Sequence, residues 1–152
     1  MKNRNLDHKN DWRTPKYLIE ELEREFWKMF DPCPFQHDLS KWDWLKREWG
    51  NINFINPPYS RKLKELFIRK AYDESLKGKL CIMLLPVSTS TKIFHEIIYP
   101  YGEIRFIFKR IKFSGWNSKG VYVTKSTGMH DSMLVIFKSQ TADTCDVVRK
   151  EC

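Results

Sequence analysis

The segment Asn53-Phe54-Ile55-Asn56-Pro57-Pro58-Tyr59-Ser60 carries the residue types best suited to chemistry in this chain. An apolar, strand-like run delivers the Asn56 amide. Pro57 and Pro58 then fix the backbone, and the Tyr59 ring follows. An amide oxygen can accept a hydrogen bond from an exocyclic amine, and the Pro57 carbonyl can accept a second. Two acceptors hold the hydrogens of the amine and direct its lone pair toward an electrophile. Tyr59 can stack on the flat group that bears the amine. The arrangement suits methyl transfer to an exocyclic nitrogen of a base, which must first leave a duplex at a cost of a few kcal/mol. The plainer reading is a proline-stiffened loop leading into a helix that Ser60 caps.

These residues need elements to place them. Residues 52–55 read as a short buried strand, so the turn after it puts Asn56 at the carboxyl edge of a sheet. That edge is the usual ligand position in open α/β folds. Upstream, Thr14 is expected to cap a helix with Pro15 in its first position. Tyr17, Leu18, Leu22, Phe26 and Met29 form its apolar stripe. Asp31-Pro32 ends that helix, and a very short strand is expected at Met29 and Phe30. A short helix is expected over 41–47. Downstream come a helix over 61–72, an apolar strand over 80–85 stopped by Pro86, and a helix over 88–98 capped by Ser or Thr. Strands are expected over 104–108, 111–113, 121–123 and 133–137. Helices alternating with strands between 50 and 100 predict a mostly parallel sheet covered by helices, with an antiparallel edge from the later segments.

The chain has 152 residues, enough for one domain with a modest core. It divides into a flexible basic arm over 1–11, a domain over 12–138 and a tail over 139–152. Hydrophobic residues make up 41% and aromatics 14%, and charged residues make up 30%, which excludes wholesale disorder. The net charge of +8 favours an acidic partner, either nucleic acid or an anionic membrane surface. No apolar run is long enough for a transmembrane helix, and the polar start lacks a signal-peptide core, so a cytoplasmic location is expected. The four cysteines, Cys33, Cys81, Cys145 and Cys152, are scattered and offer neither a metal-ligand spacing nor a disulfide framework. A phosphate-binding Gly-rich lysine loop is absent, which argues against a nucleoside triphosphatase.

Asn56-Pro57-Pro58-Tyr59 resembles the catalytic motif of amino-group methyltransferases that use S-adenosylmethionine. Over roughly residues 12–137 the chain resembles, more closely, the phage-type DNA N6-adenine methyltransferase family of small Dam-like proteins. The resemblance rests on Trp12-Arg13-Thr14-Pro15, Phe30-Asp31-Pro32-Cys33, Asp38 with Trp42 to Trp44, Phe54 to Ser60, Leu84-Leu85-Pro86, and Arg110-Ile111-Lys112-Phe113. It implies an abbreviated Rossmann-like methyltransferase fold and transfer of a methyl group from S-adenosylmethionine to the N6 amine of adenine in DNA. Asn56, Pro57, Pro58 and Tyr59 would form the transfer site. Trp12, Thr14, Pro15, Asp31, Cys33, Asp38 and Phe54 would serve the cofactor. Lys109, Arg110, Lys112 and Lys119 would face nucleic acid. In place of the Gly-x-Gly common among methyltransferases stands Asp31-Pro32-Cys33-Pro34-Phe35, and the resembled family also has an Asp-x-Cys type sequence there.

Read without the resemblance, several residues keep a second meaning. Asp31 is either a cofactor acceptor or a turn residue. Asp38 and Asp43 are equal candidates for a ribose or adenine contact, and Trp42, Trp44 and Trp49 for an aromatic wall or for core. His37, His95 and His130 share no ligand spacing, and His130-Asp131 lacks a placed nucleophile. The basic stretch 109–125, with Phe113, Trp116 and Tyr122 interleaved, suits a backbone groove beside a flipped base, or a plain basic hairpin face. Two other functions stay open: methylation of another planar amine or amide (cytosine, guanine or a protein glutamine), and a catalytically degenerate domain that binds DNA or protein. The short chain leaves little room for a separate recognition domain, which makes a homodimer or a host or phage protein partner an expected source of specificity.

Overall fold

The computed structural model describes residues 12–35, 43–117 and 119–140. The arm over 1–11, Asp38, His37, Trp42 and the tail from 141 lie outside the described residues. The elements run β1 (Trp12–Arg13), α1 (Lys16–Phe26), β2 (Ile52–Ile55), α2 (Arg61–Leu76) and β3 (Leu80–Pro86). A π-helical segment (Phe94–Ile98) then continues into a helical turn, α3 (Tyr99–Tyr101). The strands β4 (Glu103–Phe106), β5 (Lys112–Trp116), β6 (Tyr122–Thr127) and β7 (Ser132–Phe137) follow.

The expected mostly parallel, Rossmann-like sheet is not what forms. There are two sheets, one ordered β2-β3-β7-β4 and one ordered β1-β5-β6. Among the described residues, parallel pairing is confined to β2 with β3 and to a single bridge between Phe30 and Asn53. The last strand, β7, inserts between β3 and β4 and runs antiparallel to both. The physical reason lies in the route of the chain. After α3 it enters β4 at the outer edge, then leaves the sheet altogether to make the β5–β6 hairpin, which pairs with β1. It returns in the opposite sense. A strand buried on both faces is uniformly apolar in either direction, and all six residues of β7 are buried.

The four-stranded sheet is covered on both sides, with residues alternating between faces as the pleat requires. Ile55, Met83, Leu85, Met133, Val135 and Phe137 pack with Phe67, Ile68 and Ala71 of α2 and with Phe94 and Ile98. Phe54, Ile82, Leu84, Leu134 and Ile136 pack with Leu18 and Leu22 of α1 and with Ile111 and Phe113. Full burial of each such side chain stabilises by about 1.5–3 kcal/mol.

Local signals explain the helix that follows the Asn-Pro-Pro-Tyr turn. Ser60 caps α2, its Oγ accepting from Leu63 N at 3.4 Å. Phe67, Ile68, Ala71, Glu74 and Ser75 line its buried face. Gly78, at φ 90°, ends it in the left-handed region, and its N–H donates to the Ser75 carbonyl. Several local expectations fail. The helix expected over 88–98 with a Ser or Thr cap starts later, with a turn at 89–90 and no side-chain cap on the π-helical Phe94–Ile98. Tyr17, expected in the buried stripe of α1, is 55% exposed. Thr14 does not cap α1, whose N-cap is Pro15 and has no side-chain bond; the Thr14 hydroxyl instead accepts from Asn56. Residues 43–47 form turns rather than a helix, with Asp43 Oδ1 accepting from Leu45 N at 3.2 Å.

Candidate active site

Asn56 is the first residue beyond β2. Pro57 and Pro58 carry no N–H for a ladder, so strand pairing stops there and the Asn56 side chain is released at the sheet edge. Its orientation is set from the other sheet. Nδ2 donates to the Trp12 carbonyl at 2.7 Å and to Thr14 Oγ1 at 3.0 Å. A backbone carbonyl only accepts, so the atom facing Trp12 must be the NH2, and Oδ1 must point the other way. Oδ1 has no partner among the described residues and is not among the buried unsatisfied atoms, so it is open to a donor.

Asn56 does not itself line a cavity, but Trp12 and Tyr59 both line one of about 470 Å³. Tyr59, Trp12, Phe113 and Leu84 supply its apolar wall, and Lys64, Ser88, Asn117 and Ser132 supply polar groups. Tyr59 is held edge-on against Phe113, centroids 6.2 Å apart at 89°. Burial pushes the Tyr59 hydroxyl up to about 12, so the phenol is neutral near pH 7. A phenol that holds its proton so firmly is unsuited to act as a base, which leaves the flat ring as its working part. Lys64, on the first turns of α2, has its ammonium pKa lowered by burial, with Glu65 opposing and Arg61 adding to the shift.

The other residues singled out in the sequence fall into three groups. Trp12 and Thr14 join Asn56 directly. Pro15 follows them at the start of α1, and Pro57 is buried behind the turn. Asp31 and Cys33 follow the Phe30 bridge, and Asp31 Oδ1 accepts from Cys33 N at 2.8 Å. Because Phe30 runs parallel to Asn53, Asp31 leaves the sheet toward the same edge as Asn56. Phe54 is 3% exposed and belongs to the core behind the site, its N–H donating to the Phe30 carbonyl. Lys109, Arg110, Lys112 and Lys119 are all exposed. Arg110 pairs with Asp131 at 3.3 Å, and Lys119 sits in the β5–β6 connection, which Asn117 Oδ1 closes by accepting from Lys119 N and Val121 N. Among the described residues, Trp49 is core, and His130 lines the Tyr59 cavity while Asp131 engages Arg110.

Sequence reasoning missed Lys64, Ser88 and Ser132 as cavity residues. Lys64 had a usable signal: it stands one helical turn after the Ser60 cap, and helical side chains lean back toward the N-terminus, here toward the Tyr59 loop. Ser132 had none, because its place depends on β7 pairing with Pro86.

The Asn56 amide is thus held by its NH2 at the end of β2, close in sequence to the aromatic wall that Tyr59 contributes to the cavity. The family model described as DNA N-6-adenine-methyltransferase (Dam) matches residues 2–151, and the chain belongs to this family. It is also similar to a DNA N-6-adenine-methyltransferase of Escherichia phage T1, with 31% identity over 106 residues, covering 63% of this chain and 44% of that protein. The chain thus spans less than half the length of that curated relative. No solved structure gives a significant match. Among the described residues no helix is long and apolar enough to cross a membrane.

Proposed function

We propose that this chain transfers a methyl group from S-adenosylmethionine to the N6 amine of adenine in DNA. The observation that carries the reading is the Asn56 amide, whose NH2 is held by Trp12 and Thr14 while Oδ1 has no partner among the described residues, three residues before Tyr59, which lines the cavity. Family membership and the phage T1 relative support it. The +8 charge favours DNA over a protein glutamine as acceptor. A DNA substrate would place its work in the cytoplasm of a host cell.

Asn56 Oδ1 and the Pro57 carbonyl accept the two N6 hydrogens. This holds the amine in one plane and raises electron density on nitrogen. Tyr59 covers the base, with Phe113 fixing the ring. Alignment and preorganised dipoles supply the rate, and no covalent enzyme intermediate is required. The proton lost from nitrogen passes to solvent, since Tyr59 at about 12 does not take it.

The residues at this edge fit the cofactor. Asp31 and Cys33 follow the Phe30 bridge beside β2, and Thr14 touches Asn56 directly, with Pro15 next to it in the chain. The Asp31 carboxylate is held in place through the Cys33 N–H and can accept from amino or hydroxyl groups. S-adenosylmethionine, when bound, supplies an electrophilic methyl group. Phe54 backs the site from the core rather than lining it.

The test offers labelled S-adenosylmethionine with DNA, RNA and protein together. The reading predicts label in DNA, recovered as N6-methyladenine on nucleoside mass spectrometry. Label in cytosine, guanine or a glutamine amide would overturn it.

A further inference from the structure

Phe108 is 88% exposed, the most open large hydrophobic side chain among the described residues, and Phe106 is 69% exposed. They flank Ile107, which turns the other way and packs against the core under α1. Phe106 ends β4, and Phe108 lies in the bend that follows it. Their position relative to the site is set by hydrogen bonding. Ile107 N donates to the Ser132 carbonyl at 3.1 Å, and Ser132 lines the Tyr59 cavity. Val87 N donates to the Asp131 carbonyl next door. The tip is thus joined through Ile107 to Ser132, a residue that lines the proposed base cavity. Met129, 84% exposed, is among the residues lining that cavity.

The tip is also cationic. Lys109 Nζ lies 5.5 Å from the Phe108 ring centroid, and Lys109 adopts φ 61°, a left-handed conformation uncommon for a lysine. Arg110 follows and is steadied by Asp131 at 3.3 Å. An exposed flat ring with two cations immediately after it matches a surface that offers flat apolar faces bordered by phosphates. A stacked duplex is such a surface, and removing one base from it leaves a gap of aromatic thickness.

We propose that Phe108 is a wedge that enters the duplex base stack where the target adenine leaves it, with Lys109 and Arg110 on the adjoining phosphates. The proposal rests on the reading of the site as a DNA adenine methyltransferase and adds how the base is extracted. Phe108 acts on the opening of the duplex, not on methyl transfer, so its loss should matter only when there is a stack to open.

Full-length protein and a Phe108→Ala variant would be compared on one mixed sequence, presented as a paired duplex and as the single strand. The expected result is a loss of about tenfold or more on the duplex, the size set by an unstacking cost of a few kcal/mol, with single-strand transfer within about threefold. Phe108→Trp should restore duplex activity. Equal losses on both substrates, or no loss on either, overturn the wedge. A second readout does not need methyl transfer: duplexes carrying 2-aminopurine at adenine positions should brighten with wild type and stay dark with Phe108→Ala at saturating protein. Equal brightening with both proteins, or none with wild type, overturns the wedge. If wild type brightens the probe but methylates no DNA, the methyltransferase reading fails and the wedge stands. Unchanged duplex behaviour with lost binding to phosphatidylserine vesicles would assign the tip to a membrane surface and overturn the proposal.

Discussion

Asn53 and Asn56 stand three residues apart, one within β2 and one just beyond its end, and their amides are handled in opposite ways. Asn53 is fully buried. Its Nδ2 donates to the Gly50 carbonyl at 2.8 Å and to the Leu80 carbonyl at 3.2 Å, tying the entry of β2 to the entry of β3. Its Oδ1 is buried without a hydrogen-bond partner. Near it, fully buried Glu74 accepts from Lys70 and Lys79, and Lys79 also donates to the Trp49 carbonyl. That end of the sheet is closed. At the other end, Asn56 has its NH2 held by two acceptors and its oxygen left accessible. The same side chain makes a structural tie where water and ligands cannot reach it and, in the proposed reading, a recognition group where they can. Access, not residue type, separates the two roles.

That contrast can be broken by substitution. The largest effect belongs to Asn56→Ala, expected to lower single-turnover transfer by about 10²–10³-fold or more while the thermal midpoint stays near wild type. A large fall in midpoint would show Asn56 to be structural like Asn53. Next comes Glu74→Gln. It leaves Lys70 and Lys79 facing a neutral amide in a buried setting, and urea titration should register a loss of about 3 kcal/mol. Burial pushes the Glu74 carboxyl up, but hydrogen bonds from Lys70 and Lys79 outweigh it and hold the group down at about 2, against an ordinary 4.5. A depressed folded-state value means the network stabilises fully above the ordinary value and loses its contribution as pH falls from about 4.5 to about 2. The Gln variant should lack that acid-limb slope.

Asn53→Ala comes third. Two strand-entry carbonyls lose their donor, and the expected destabilisation is about 2 kcal/mol, with transfer per folded molecule retained. Activity lost out of proportion to folding would erase the distinction between the two amides. Smallest is Thr14→Val, which removes one of two hydrogen bonds holding the Asn56 amide. A fall in kcat of about fivefold with KM little changed is expected, and Thr14→Ser should restore it. A rise in KM for S-adenosylmethionine alone would place Thr14 on the cofactor instead.

Much of the site was legible from local signals. β2 was readable as a buried run ended by two prolines, and α2 as a helix begun by Ser60, because caps and proline stops act within a few residues. The strands of the second half were also readable, but their pairing was not. β7 is apolar at five of its six positions, so nothing in Ser132 to Phe137 declares which way it runs. Thr14 was read as a cap because Ser and Thr serve that purpose locally. Its actual partner, Asn56, is 42 residues away and arrives only through the fold. Asp43, weighed for a cofactor contact, closes a local turn through Leu45 N and pairs with Lys46 at 3.6 Å.

The most direct test of the central claim sets wild type and Asn56→Ala side by side on adenine-containing DNA with labelled S-adenosylmethionine, and counts N6-methyladenine by nucleoside mass spectrometry. The account predicts N6-methyladenine from wild type and almost none from the variant, with matching thermal unfolding curves. N6-methyladenine formed by the variant at the wild-type rate would contradict the role given to the Asn56 oxygen.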